Sequence, residues 1–383
     1  MSTLPADARP SLLILVLSDI RRDPRVLKQV NLFRDRYAVT TCSFGEAPDG
    51  VVDHISLGTQ GRGWPNDRSG LLLRRHDHVY WSLPAVRAAR EALAGRVFDA
   101  VIANDLNTVP LAARVQSRRG FHADLHEYAP AEKDNELAWR LLVAPYQRHL
   151  LRRYAARARS VTTVSEGIAA AYRRHFGLDC AVVPNAAPYR AAEPRPVHAP
   201  MRAIFTGAAQ AARHIDLMVE AMRHVPAGLE LDLYLMPNEP AYLTALEAAA
   251  AALPSVRILP PVPFAELMDT VASYDIALAF QRPTTFNIRY AVPNKFFEAI
   301  QARTAVVVGP APELTAIVEK HGFGVVTRDF TAEALAETLR GLTPERVATM
   351  KEAAHAAAWE LSAEATMQPW VSAVDALVTE GDT

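Results

Sequence analysis

Short apolar runs alternate with amphipathic stretches along almost the whole chain. Runs near 11–17, 38–44, 98–103, 122–126, 160–164 and 180–184 are dense in Val, Ile, Leu and Ala and predict buried strands. Between them, apolar positions recurring every three or four residues predict helices near 25–35, 82–95, 106–118, 135–158 and 165–175. Continuous apolar strands separated by helices indicate parallel βαβ units, because the crossover helices cover both faces of the sheet. A stretch with four prolines between Ala186 and Pro200 reads as an interdomain linker. The alternation then restarts at Ala203–Thr206, Leu229–Leu235, Val256–Leu259, Ile276–Phe280, Ala305–Val308 and Gly324–Thr327, and an Ala-rich helical tail follows over 344–380. The expectation is an α/β protein of two doubly wound halves, with a ligand outside the carboxyl ends of the strands.

Composition narrows the class. With 383 residues, half of them hydrophobic, the chain is too long for one core and fits two domains. Cys42 and Cys180 offer neither a disulfide framework nor a zinc spacing, which suggests a reducing, cytoplasmic setting. Met1–Pro10 lacks the basic start and apolar core of a secretory signal, and Ser11–Leu17 is too short to span a bilayer. Residues 1–190 hold 27 Lys and Arg against 19 Asp and Glu, and the remainder 14 against 23, giving −1 overall. This asymmetry points to a basic surface facing an anionic partner. Near-neutral charge with no reading module argues against nucleic acid.

One segment carries more chemistry than the rest. Thr284 to Glu298 forms a polar loop between the apolar run Asp275–Phe280 and the helix-like run Glu298–Arg303. Free backbone N–H groups and the helix dipole favour anions at such a place. Pro293 suits a first helical turn, Lys295 adds positive charge and Glu298 can accept hydrogen bonds from sugar hydroxyls. An ordinary capped strand–loop–helix connection fits the same spacing.

Pro293-Asn294-Lys295-Phe296-Phe297-Glu298, followed by Ala305–Val308 and Pro312-Glu313-Leu314, resembles the donor segment of retaining family 4 glycosyltransferases of the GT-B fold. That resemblance implies two Rossmann-like domains with an interdomain cleft and a C-terminal crossover helix. It places an acceptor-binding domain over 1–190, a nucleotide-sugar domain over 191–360 and a helix returning to the first domain over 361–383. It assigns Glu298 to the ribose, and Asn294 and Lys295, with the turn at Pro293, to the diphosphate. The usual pattern has a second glutamate eight positions before Glu298, where this chain has Tyr290 near the donor sugar. Phe205-Thr206-Gly207 resembles the family's strand-to-glycine turn, with Arg213 as the basic residue for the diphosphate, and Leu259–Phe264 resembles the segment whose backbone reads the base.

In the first half, Asn104-Asp105 and Asp124-Leu125-His126-Glu127 close two expected strands at the catalytic edge of the sheet. The resemblance places His126, with Asp105, beside the donor sugar or acceptor; a hydrogen-bonded structural histidine is the other reading. After the first strand, Asp23 suits an N-cap and Pro24 an N1 position, while Arg21 or Arg25 offers a guanidinium to an anion. Ser165 is explained as an N-cap, and His76 and His78 read as part of a solvated loop. His122 and His126 form no recognised metal set, and no metal is expected. The six arginines between Trp139 and Arg159 either mark a basic amphipathic helix on an anionic membrane or the solvated face of a core helix.

The activity implied by the resemblance is transfer of a sugar from a nucleotide diphosphate, UDP or GDP above others, to an acceptor hydroxyl in glycan or glycoconjugate biosynthesis. It is expected to retain configuration and to work without a metal or other cofactor. The acceptor is a glycan, a lipid-linked molecule or a small molecule, met by loops 56–80 and 127–140, with peripheral membrane association at the inner face. The competing readings are a sugar-nucleotide epimerase and a non-catalytic GT-B partner subunit.

Overall fold

The computed structural model describes residues 9–58 and 65–379. Contacts divide the chain into one unit of 1–183, 285–287 and 367–383, and a second of 184–284 and 288–366.

The first unit is built on β1 (Ser11–Asp19), β2 (Ala38–Phe44), β3 (Asp53–Ser56), β4 (Val97–Phe98), β5 (Ala100–Asn104), β6 (Gln116–Ser117), β7 (Phe121–Asp124), β8 (Ser160–Thr163) and β9 (Cys180–Val182). Seven of these form a parallel sheet in the order β3-β2-β1-β5-β7-β8-β9, while β4 and β6 pair separately. The order reverses between β1 and β5. Their pairing stops at Leu15 and Ala103 although β1 runs on to Asp19, and the gap beyond is the crevice where doubly wound sheets bind ligands. The helix Pro24–Phe33 buries Val26, Val30 and Phe33 on this sheet against Leu12, Ile14 and Ile102. The terminal helix Gln368–Thr379 adds Trp370, Val374 and Leu377 to the same core.

The second unit repeats the plan with β10 (Met201–Ala208), β11 (Leu229–Met236), β12 (Val256–Leu259), β13 (Ile276–Ala279), β14 (Ala305–Val308) and β15 (Gly324–Val326), all parallel in the order β12-β11-β10-β13-β14-β15. Here too the order reverses beside the first strand. β10 pairs with β13 only at Ala203 and Ile204, leaving Phe205–Ala208 beyond the pairing on that side.

Several local expectations need correction. The helix expected over 106–118 is limited to Val109–Ala112, because the chain then turns into β6. His76 and His78 lie in a helix, His76–Ser82, and His76 is buried against Tyr146 and His149, not solvated. The loop before Lys295 contains a helical turn, Phe286–Tyr290, and Pro293 caps the next helix from outside in extended conformation instead of opening it. The loop 56–80 holds the helix Arg68–Leu72 and the start of the next; its residues 59–64, the first eight residues and residues 380–383 lie outside the described residues.

Candidate active site

The carboxyl ends of β5 and β7 bring His126 and Asp105 together in the first unit. Asp105 follows β5 in a left-handed conformation, φ 64°, which an aspartate tolerates better than most residues, and its N–H donates to the carbonyl of Asp124. This turn sets its carboxylate 3.1 Å from Nδ1 of His126. On the other side of the ring, Nε2 lies 3.4 Å from the fully buried carboxylate of Asp124.

Asp124 is the node of the cluster. Arg25 donates through Nε and Nη2 to both its oxygens, at 2.8 and 2.7 Å, and a third guanidinium nitrogen, Nη1, donates to the carbonyl of Val183. Gln29 and Thr162 each donate to it as well, at 2.8 and 2.7 Å, and Gln29 exchanges amide hydrogen bonds with Asn104. Burial works against this carboxylate, but the Arg25 charge and the hydrogen bond with His126 outweigh it and hold Asp124 well below the usual carboxylate range. For His126, burial opposes the cation, while Asp105 and Asp124 together push its pKa above that of free imidazole. Burial raises Asp105, opposed by His126. Glu132 is pushed up to about 7 by burial and by Glu127 and Asp105. The result is an imidazole inclined to carry a proton, with exchangeable carboxyl groups around it.

Arg25 therefore has a different place from the one considered for it. It is buried, its guanidinium 4.6 Å from the Trp370 ring, and holds the site together without facing a ligand. Arg21 is exposed and donates to the carbonyl of Ala47. Asp23 caps its helix by accepting from the N–H of Val26. His122 is buried between Ser160 and Thr162, and burial lowers it to about 4, leaving it neutral. Asp124 was readable as a strand end, but its partners come from the first helix and β8, and no spacing links them.

The second unit gathers the other candidates at its own strand ends. The helix Asn294–Gln301 buries Phe296, Phe297 and Ile300, which fixes Lys295 toward β10. Lys295 Nζ donates to the carbonyl of Thr206 at 2.7 Å and lies 3.7 Å from the centre of the Phe205 ring. That carbonyl is reachable because β13 has already parted from β10 there. Gly207 makes the approach possible: a Cβ on it would stand 3.1 Å from the Lys295 ammonium. Burial, then the charge of Arg213, lowers Lys295 to about 7, against the support of Glu298 one turn along the helix. Arg213 is half-buried and its guanidinium donates to Gln210. Pro293 has no side-chain hydrogen bond with which to cap the helix, and Asn294 is exposed as its first residue. Tyr290 sits in the preceding helical turn, its ring beside the Arg289 guanidinium. Gly207, Arg213, Lys295 and Glu298 thus converge; a phosphate set here would meet two cations and a helix N-terminus. Among the described residues no cluster of three His, Cys, Asp or Glu could hold a metal ion.

Residues 34–188 match the model of Glycosyltransferase Family 4, and residues 200–344 that of Glycosyl transferases group 1. The chain is a family 4 glycosyltransferase. No curated protein matches this glycosyltransferase in sequence. Its fold is shared with solved GT-B structures. HepE (Alr3699) of Anabaena, solved with UDP and glucose, is 16% identical with a TM-score of 0.68, the match covering 96% of this chain and all of that one. A UDP-forming trehalose-phosphate synthase of Burkholderia vietnamiensis is 10% identical with a TM-score of 0.68, covering 98% and 100%. WaaG, a glycosyltransferase of lipopolysaccharide biosynthesis, is 14% identical with a TM-score of 0.62, covering 97% and 100%. No helix among the transferase's described residues is long and apolar enough to cross a membrane.

Proposed function

We propose that this glycosyltransferase moves a hexose from UDP to an acceptor hydroxyl with retention of configuration, the second unit holding the nucleotide and the first the acceptor. The observation that carries the reading is the half-buried Lys295 ammonium, held against Thr206 over Gly207 and next to Arg213. A lysine kept in so unfavourable a setting gains most when a diphosphate supplies the missing negative charge. Glu298, on the same helix, takes the ribose hydroxyls. UDP is favoured because HepE was also solved with UDP-glucose.

In the reaction the bond between the anomeric carbon and the diphosphate oxygen breaks, and the acceptor oxygen attacks from the same face. Lys295, Arg213 and the N–H groups at Asn294 stabilise the departing charge, and a diphosphate oxygen takes the acceptor proton. His126, bridging Asp105 and Asp124, holds the Asp105 carboxylate in place to accept from a hydroxyl of the sugar or acceptor.

The test is a thermal shift of the purified protein with UDP, GDP, ADP, CMP and dTDP, repeated on Glu298→Ala. Stabilisation by UDP above the others, lost in the variant, is the expected result. Equal shifts in the variant would remove Glu298 from the ribose, and no shift with any nucleotide would overturn the donor assignment.

A further inference from the structure

In the first unit the sheet and the terminal helix Gln368–Thr379 together line a cavity of about 650 Å³. Small-molecule sites run to roughly 300–1,000 Å³, so this one is of useful size. Pro369, Ala373 and Leu377 of the helix, with Val161 of β8, give it an apolar wall. Its charged residues are Arg118 and Arg119, just before β7, and Arg159, just before β8. His126 follows β7, so these arginines and the catalytic cluster stand at opposite ends of four-residue strands, about 13 Å long. A small molecule held by the arginines is therefore neither the sugar donor nor its acceptor.

No carboxylate lines the cavity. Arg118 lies 3.4 Å from Asp99, which also accepts from the N–H and the hydroxyl of Ser11. Among the described residues no carboxylate is within salt-bridge distance of Arg119 or Arg159. Nη1 of Arg119 is buried and has no hydrogen-bond partner among them. A buried donor left unpaired is costly, and an anion in the cavity would pair it. The turn that carries these cations is fixed. Ser117 Oγ donates to the carbonyl of Gly120 at 2.6 Å and accepts from its N–H at 3.1 Å. Gly120 is left-handed, φ 94°, and a Cβ on it would stand 3.2 Å from Cγ of Arg159. The stem of Arg159 thus lies against the residue that follows Arg119. The polar groups deeper in the lining are already engaged: His122 sits between Ser160 and Thr162, and Thr162 donates to Asp124.

Recognition of charge in this cavity falls to the guanidiniums, whose planar forks suit phosphate oxygens. Two of them without carboxylates match the two charges of a phosphate monoester, and the wall beside them matches an apolar body. We propose that this cavity is a second ligand site, for a small organic phosphate monoester whose phosphate meets the arginines and whose body meets the terminal helix. Its occupation does not depend on the identity of the nucleotide donor.

The experiment is calorimetric titration of the full chain with phenyl phosphate and with inorganic phosphate. The wild type, Arg119→Gln/Arg159→Gln, Ala376→Trp and Lys295→Met are compared, with melting temperatures as the folding control. Ala376 is an exposed residue of the terminal helix on the cavity's lining, so an indole placed there fills the cavity and leaves the core intact. Phenyl phosphate is expected to bind the wild type about tenfold more tightly than inorganic phosphate. Removing two guanidiniums should weaken it roughly 30-fold, Ala376→Trp should abolish binding, and Lys295→Met should keep it. No binding to the wild type, unchanged binding by either folded cavity variant, or phenyl phosphate no tighter than inorganic phosphate would overturn the proposal. Binding lost in Lys295→Met but kept in the arginine variant would assign the probe to the donor site, and would overturn it too.

Discussion

Arg25 grips both carboxylate oxygens of Asp124 from a helix ninety-nine residues earlier in the chain, and both side chains are buried. The pair does two things. It keeps a charge inside the first unit that burial alone would neutralise, and that charge in turn biases His126 toward its protonated form.

Arg25→Met should therefore leave a buried carboxylate without its cation, at a cost of about 3–5 kcal/mol. The pH dependence separates this from lost packing. Asp124 titrates lower in the folded state than in the unfolded one, so its stabilisation of the wild type is present above the unfolded value of about 3.9 and fades as pH falls toward the folded one. In the variant burial without the Arg25 cation lifts the carboxyl above the ordinary carboxylate range, so the folded variant takes up a proton that the unfolded chain does not as pH falls from about 7.5. The deficit in urea midpoint should be largest near pH 7.5 and shrink toward pH 4.5; a constant deficit would mean that only packing was lost.

The terminal helix supports the same node through Trp370, whose ring covers Arg25 and whose Nε1 donates to Thr162 at 3.2 Å. Trp370→Phe keeps an aromatic face and loses the hydrogen bond, costing about 1 kcal/mol. Trp370→Ala also opens a cavity in the core and should cost about 3–5 kcal/mol. Urea midpoints of both variants check this. A Trp370→Ala protein as stable as wild type would show that the helix merely rests on the sheet.

Much of the fold was legible because its signal is local. The β14 run is apolar without a break, β11 alternates leucine with other residues from Leu229 to Leu235, and Pro312–His321 or Pro344–Ala357 announce themselves by proline and periodicity. Local signal failed where tertiary packing decides. The Val109–Ala112 helix stops early because Gln116 and Ser117 find a partner strand at Val97 and Phe98, which nothing in 106–118 records. His76 looked solvated because its neighbours are charged, yet Tyr146 and His149 close over it from a distant part of the chain. Of the candidate site, the residues at strand ends and at the helix start could be named, since their positions follow from periodicity and a motif. Arg25 and Thr162 could not be joined to Asp124, nor Trp370 to either of them, because only folding brings the first helix and β8 to one carboxylate and the terminal helix over both.

His126 between Asp105 and Asp124 predicts a definite pH profile. If the active site requires the protonated ring bridging Asp105 and Asp124, kcat/KM should fall as pH rises through its raised pKa. Asp105→Asn removes the largest of the influences that raise this pKa and should move the alkaline limb to lower pH. His126→Asn should abolish that limb and lower kcat/KM roughly 10- to 100-fold, the worth of a charge-assisted hydrogen bond. An unshifted limb in Asp105→Asn would remove His126 from the role.

Lys295 offers a measurement at the other site. Burial and Arg213 set its pKa near 7, against about 10.4 for a free lysine. Its effect on stability has a definite sign. Between these values the unfolded chain binds a proton that the folded chain does not, so this group makes the ligand-free protein more stable as pH rises from about 7 toward 10.4. A bound diphosphate restores the charged form, so binding UDP above pH 7 must draw a proton from solution. Calorimetric titrations at pH 8 in buffers of different ionisation enthalpy should show uptake approaching one proton, declining toward zero below about pH 6. Lys295→Met should abolish the uptake. Gly207→Ala, whose new methyl would stand 3.1 Å from the ammonium and 3.3 Å from the Phe205 ring, should displace the lysine and weaken UDP binding about tenfold. Full uptake in Lys295→Met would assign the proton to another group and remove Lys295 from contact with the diphosphate.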